Sequence, residues 1–69
     1  MYHLDLKVIG RNIKAERVRK GFSQEEIAEL ADTTRHTISM IETGSQHPKL
    51  LSILKISNAL GIDINELLK

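Results

Sequence analysis

Apolar residues recur at helical spacing along most of this chain, and capping residues and glycines punctuate the blocks they form. Leu6, Ile9, Ile13 and Arg17 make an i, i+3, i+4 stripe, which predicts a helix from about Leu6 to Lys20 ending at Gly21. Ser23 followed by Glu26 has the spacing of a capping box, with Phe22 and Ile27 at the two staple positions. Ile27, Leu30 and Ala31 then continue at helical spacing, with Ala28 beside them leaving room for another helix to approach; this second helix stops near Asp32. Thr33 and Thr34 supply the next cap, Ile38 and Ile41 point inward, and Gly44 suits the left-handed residue past a helix end. A third helix therefore spans roughly Arg35 to Thr43. Leu50, Ile53, Leu54, Ser57 and Leu60 form the stripe of a fourth, read as core and stopped by Gly61. Asp63 with Glu66 repeats the capping-box spacing, and Ile62 with Leu67 repeats the staple, before a short last helix.

Projected at about 3.6 residues per turn, the third helix carries Arg35, His36, Ser39, Met40 and Thr43 on the face opposite Ile38 and Ile41. Two short helices whose second member presents a polar, scarcely acidic face meet the requirement for entering the major groove of DNA. An ordinary helical hairpin with a solvated face fits the same periodicity, and periodicity alone favours it.

The run GFSQEEIAELADTTRHTISMIETG, followed by PKLLSILKISNALGIDINELL, resembles the Cro/C1-type (XRE-like) helix-turn-helix family of phage repressors and bacterial regulators. The resemblance covers about residues 6 to 68 and rests on Ser23-Gln24 with Ala28, Ile38 with Ile41-Glu42 and Gly44, Pro48, and Ala59-Leu60-Gly61. It implies an all-α, lambda-repressor-like bundle of five helices: one domain over residues 1–69, with the helix-turn-helix at about 23–44. It implies double-stranded DNA as partner, bound mostly by homodimers. In relatives, an arginine and a glutamate matching Arg17 and Glu42 pair between the first and third helices. A guanidinium closing an apolar stripe needs such a partner or an exit to water. By the same resemblance Gln24 grips a phosphate, and the loop from Ser45 to Lys49, stiffened by Pro48, lies along the DNA backbone with Lys49 near a phosphate. Thr43, near the end of the third helix, is a further candidate for a phosphate contact. Arg35, His36, Ser39 and Met40 are the base-reading candidates: Arg35 for a guanine, Met40 for a thymine methyl, His36 for a base or phosphate. The chain departs from the family at Asp32, where glycine is frequent, and at Glu16, where leucine is.

Composition narrows the reading. At 69 residues and 41% hydrophobic content the chain suffices for one helical core. Cysteine is absent, which excludes disulfides and thiolate metal sites. The start MYHLDLKVIG carries Asp5 and no long apolar run, so it is not expected to be a signal peptide; with no stretch able to span a bilayer, a cytoplasmic protein is expected. The formal charge is only +1, yet residues 1–21 hold six basic residues against two acidic ones, a net +4, leaving −3 for the rest. Such asymmetry fits a basic flank facing phosphates and a solvated helix surface equally. His3, His36 and His47 are too widely separated for a helical pair of metal ligands; no nucleophile elbow, phosphate-cradling glycine loop or close histidine and acid pairing is present, and no cofactor is expected. Neither an enzyme nor a small-molecule binder is expected.

Ile62, Ile64, Leu67 and Leu68 exceed what one short terminal helix can bury against its own bundle, which points to a dimer interface; full absorption by the monomer core is the alternative. The function expected is a sequence-specific transcriptional regulator, a repressor, bound to a palindromic operator as a homodimer. An antitoxin-type protein-binding module with secondary promoter autoregulation is the other reading.

Overall fold

The computed structural model describes residues 5–69; the reading of His3 as no metal ligand falls outside that range. Five helices follow in order: α1 (Leu6–Arg19), α2 (Gln24–Leu30), α3 (Arg35–Glu42), α4 (Leu50–Leu60) and α5 (Asn65–Leu68). Their ends are set by local chemistry. The Asp5 carboxylate accepts from the Lys7 N–H at 2.9 Å and opens α1. Gly21, at φ 80, closes it, with the Phe22 N–H reaching back to the Arg17 carbonyl at 3.0 Å. At the end of α2 the same closure falls on Asp32, at φ 56, where Thr33 N–H bonds to Ala28 O at 2.8 Å. A non-glycine residue in that conformation costs roughly 1 kcal/mol, so this chain's departure from the family pattern at the turn is accommodated with some strain.

Ile13, Ile27, Ile38, Ile41, Ile56 and Leu67 are fully buried, joined by Ile9, Ala28, Ala31, Ile53 and Leu60. Each fully buried aliphatic side chain stabilises by about 1.5–3 kcal/mol. Packing of this kind decides the matter for α2 and α3. At seven and eight residues they lie below the length, about 12–15, at which an isolated helix holds in water.

Around this core α1 lies against α3 and α5, and α2 against α3 and α4. The crossing of α1 and α3 is a contact of backbones. A Cβ at Gly10 would stand 2.4 Å from the Ile41 carbonyl oxygen and 2.6 Å from that of Glu42. Only glycine permits that approach, even though a glycine inside a helix costs about 1 kcal/mol relative to alanine. Two residues further along α1, Asn12 Nδ2 donates to the Leu67 carbonyl at 3.0 Å and ties in α5.

Three expectations need correction. Leu30 is 58% exposed, because Ile27, Ala28 and Ala31 define the buried face of α2 and Leu30 stands about 110° round from its centre. On α4 the buried stripe is Ile53, Ile56, Ser57 and Leu60; Leu54 is off it by a similar angle, and Leu50, 69% exposed, lies on an open groove beside Leu6, Pro48 and Leu68. Finally, Asp63 and Glu66 form no capping box. The last helix begins with i→i+3 bonds from Glu66 N–H to Asp63 O and Leu67 N–H to Ile64 O, so the Asp63 carboxylate meets the Asn65 N–H at 2.8 Å while Glu66 pairs with Lys69. Glu16, by contrast, finds an edge position and pairs with Arg19 one turn on.

Candidate nucleic-acid interface

The reading face is built on α3. Its N-cap is Thr34, whose Oγ1 accepts from the Thr37 N–H at 3.1 Å, and its last turn closes at Gly44, at φ 73. Between these ends Arg35, His36 and Thr43 are exposed, Ser39 and Met40 half-buried, and Ile38 and Ile41 buried behind them. The one carboxylate of α3, on Glu42, is turned inward, so the outer face has no negative side chain. Arg35 Nε lies 3.8 Å from Glu25 Oε1 at the start of α2; both side chains are mostly exposed, and such pairs contribute under about 1 kcal/mol.

Behind the face sits a buried ion pair. Arg17 Nε donates to Glu42 Oε2 at 2.6 Å, Nη2 to Oε1 at 3.1 Å, and Nη1 to the Phe22 carbonyl at 2.8 Å. The side chains are 11% and 2% exposed, and among the described residues no buried side-chain polar atom lacks a partner. A buried pair is tolerable only when its remaining donors and acceptors are satisfied in this way. Gln24 joins it, donating from Nε2 to Glu42 Oε1 at 3.1 Å, a contact the sequence reading missed because the partners are distant in the chain.

Other candidate residues scatter. The Thr43 hydroxyl donates within its own helix end, at 3.1 Å from both the Ser39 and Met40 carbonyl oxygens, and lies 2.9 Å from Ser45 Oγ. Lys49 is exposed and stands at the N-cap of α4, where its side chain caps nothing. Ser23 and Glu26 complete their capping box with bonds of 3.0 and 2.9 Å. The backbone N–H of Ser23 and then its hydroxyl hold the Glu26 carboxyl below its ordinary value of 4.5. Of the residues expected at a dimer interface, Leu67 is wholly absorbed by the bundle's core, Ile62 and Ile64 pack against that core half-buried, and Leu68 remains 36% exposed. The reassignment of Leu67 follows from α5 folding back onto α1, where the Asn12 bond holds it. No group of three or more potential metal-ligating side chains occurs among the described residues.

A short-turned helix pair, its second member displaying an acid-free polar face and anchored from behind by a satisfied ion pair, is the DNA-binding unit of a helix-turn-helix transcriptional regulator. Comparison with known proteins agrees. A helix-turn-helix family model matches residues 13–67. The chain is 41% identical over 51 residues to the HTH-type transcriptional regulator YqaF of Bacillus subtilis, covering 74% of this chain and 67% of that one. It is 36% identical to the SPbeta prophage-derived regulator YonR of the same organism, over 90% of this chain but only 57% of YonR. Among solved structures, the restriction-modification controller protein C.AhdI of Aeromonas hydrophila superposes with a TM-score of 0.90 at 35% identity, covering 94% of this chain and 98% of that one. SinR, the master regulator for biofilm formation, in complex with DNA, superposes at 0.83 and 35% identity, with 88% and 98% covered. The chain belongs to the Cro/C1-type (XRE-like) helix-turn-helix family and has its all-α, lambda-repressor-like fold. It is a DNA-binding domain of the transcription-regulator class rather than an enzyme.

Proposed function

We propose that this domain is a cytoplasmic, sequence-specific repressor that binds a palindromic operator as a homodimer. The observation that carries the reading is the division on α3, where Arg35, His36 and Met40 face outward while Glu42 is buried and neutralised. In this reading Arg35 donates two bonds to a guanine, Met40 meets a thymine methyl, and His36 and Ser39 bond to neighbouring base edges. Gln24, Thr43 and Lys49 hold phosphates and fix register without reading sequence. Two copies would set their reading helices about 34 Å apart, on successive major grooves. Leu68 with Ile62, Ile64 and the exposed Leu50 and Leu54 supplies the apolar surface for that pairing.

Selection of bound sites from random duplexes is expected to return a palindrome; a pool with no enriched sequence would overturn the proposal. On the selected site, Arg35→Ala should cost about 1–3 kcal/mol and relax preference at one base pair per half-site, whereas Gln24→Ala should weaken all sequences alike. A uniform loss from Arg35→Ala would make Arg35 a phosphate clamp instead.

A further inference from the structure

The buried ion pair has an outward connection. Glu42 Oε1 accepts from Arg17 Nη2 and from Gln24 Nε2, each at 3.1 Å, using both lone pairs of that oxygen. The Glu42 side chain is 2% exposed, so water does not compete for these bonds. The orientation of the Gln24 amide is chemically unambiguous here, since only its nitrogen can donate to a carboxylate. That nitrogen carries two hydrogens. One is committed inward, and the other remains for a second acceptor.

We infer that Glu42 is a positioning residue for DNA binding, holding the Gln24 amide so that its second N–H meets a backbone phosphate with the rotamer already fixed. The inference rests on the reading of Gln24 as a phosphate contact. Ordering a flexible side chain at an interface costs about two- to tenfold in affinity, and the bond to Glu42 removes that cost before DNA arrives. The geometry adds a second effect. Glu42 belongs to α3 and is itself gripped by Arg17 of α1, so the phosphate-holding side chain of α2 is tied directly to the reading helix. A phosphate held by Gln24 therefore sets the height of α3 in the groove.

Glu42→Gln provides the test, because its charge effect has the opposite sign. Removing a negative charge near DNA strengthens binding on electrostatic grounds alone. We expect instead that Glu42→Gln weakens binding to the selected operator and to an unrelated duplex of equal length by the same factor, about two- to tenfold. In the Gln24→Ala background the same substitution should produce no further loss. Equal losses in both backgrounds would overturn this inference and leave the phosphate role of Gln24 standing. No loss from Gln24→Ala alone would overturn both. Should Glu42→Gln fail to fold, the unmodified protein still decides. The Gln24 side-chain amide is expected to show restricted motion by nitrogen-15 relaxation, and slowed exchange of one of its two protons, before DNA is added. A freely rotating amide would overturn the inference.

Discussion

The first three helices and the last two are held by different means. From α1 to α3 the starts carry side-chain caps at Asp5, Ser23 and Thr34, and α1 meets α3 backbone to backbone at Gly10. A buried, fully bonded ion pair locks the three together. Among α4 and α5 neither start has a side-chain cap on its N-cap residue, and α5 is four residues long. There Leu50, Leu51, Leu54 and Leu68 remain 69%, 61%, 39% and 36% exposed. Polar geometry fixes position and apolar area supplies adhesion. The former lies behind the face that we propose reads bases; exposed apolar side chains concentrate on α4 and α5, where we place a second copy, with Val18 and Leu30 the exceptions.

The contrast is broken most severely by Arg17→Ala. It strands the Glu42 carboxylate in the interior and should cost about 3–5 kcal/mol. A chain of 69 residues has a total stability of only about 3–10 kcal/mol, so urea titration should find the variant largely or wholly unfolded. A loss under about 1 kcal/mol would reduce the pair to the standing of a surface contact.

Next come two adjacent leucines with opposite fates. Leu67→Ala should cost about 2–5 kcal/mol by opening a core cavity, whereas Leu68→Ala should change monomer stability by less than about 0.5. Sedimentation of Leu68→Glu then asks about the surface itself; an oligomer unchanged from the parent would take the interface away from this patch.

A smaller change runs the other way. Lys49→Ser would give α4 the side-chain cap it lacks and is expected to add about 1 kcal/mol, a rise in Tm of about 4–8 °C by calorimetry. An unchanged Tm would mean that the first turn of α4 gains nothing from a hydroxyl cap.

The smallest effect concerns pH. Ser23 holds the Glu26 carboxyl below its ordinary value, so the folded state binds its proton less readily than the unfolded chain does. The stability this contributes is present above about 4.5 and is lost as pH falls from there through the lower folded value. Glu26→Gln should remove that part of the acid limb of a stability profile. Superimposable profiles for parent and variant would deny the capping box any pH-dependent share.

Helix ends were legible in the sequence because their chemistry is local: Gly21, Ser23 with Glu26, Thr34, Gly44 and Gly61 act on neighbours a turn away. The relation between Arg17 and Glu42 was legible because an arginine in an apolar stripe demands an explanation, and a family resemblance offered one. One local rule failed, at Asp63 and Glu66, where the tight i→i+3 start of α5 replaces a capping box; the other failures needed the third dimension. Leu30, Leu50 and Leu54 have the spacing of core residues, but spacing does not say whether another element arrives to cover them. Leu67 failed in the opposite sense, since α1 covers it. Gly10 carried no readable signal, because a glycine within a helix acquires meaning only from the backbone that passes over it. At the interface, the outward row on α3 came from projection alone, while the bond from Gln24 to Glu42 lay beyond any local rule.

The shortness of α2 and α3 bears on how far this recognition unit can be moved. Excised as a peptide, the pair would lose Gly10, Arg17 and most of the isoleucine core, and neither helix is long enough to persist alone. Grafting the whole pair into a foreign scaffold would demand a host helix with its own glycine notch and an arginine at matching height. Swapping only the exposed Arg35 and His36 and the half-buried Ser39 and Met40 demands far less of the scaffold. In engineering terms, if the outer row of α3 reads bases as we propose, that row is the exchangeable cassette and everything behind it belongs to the chassis.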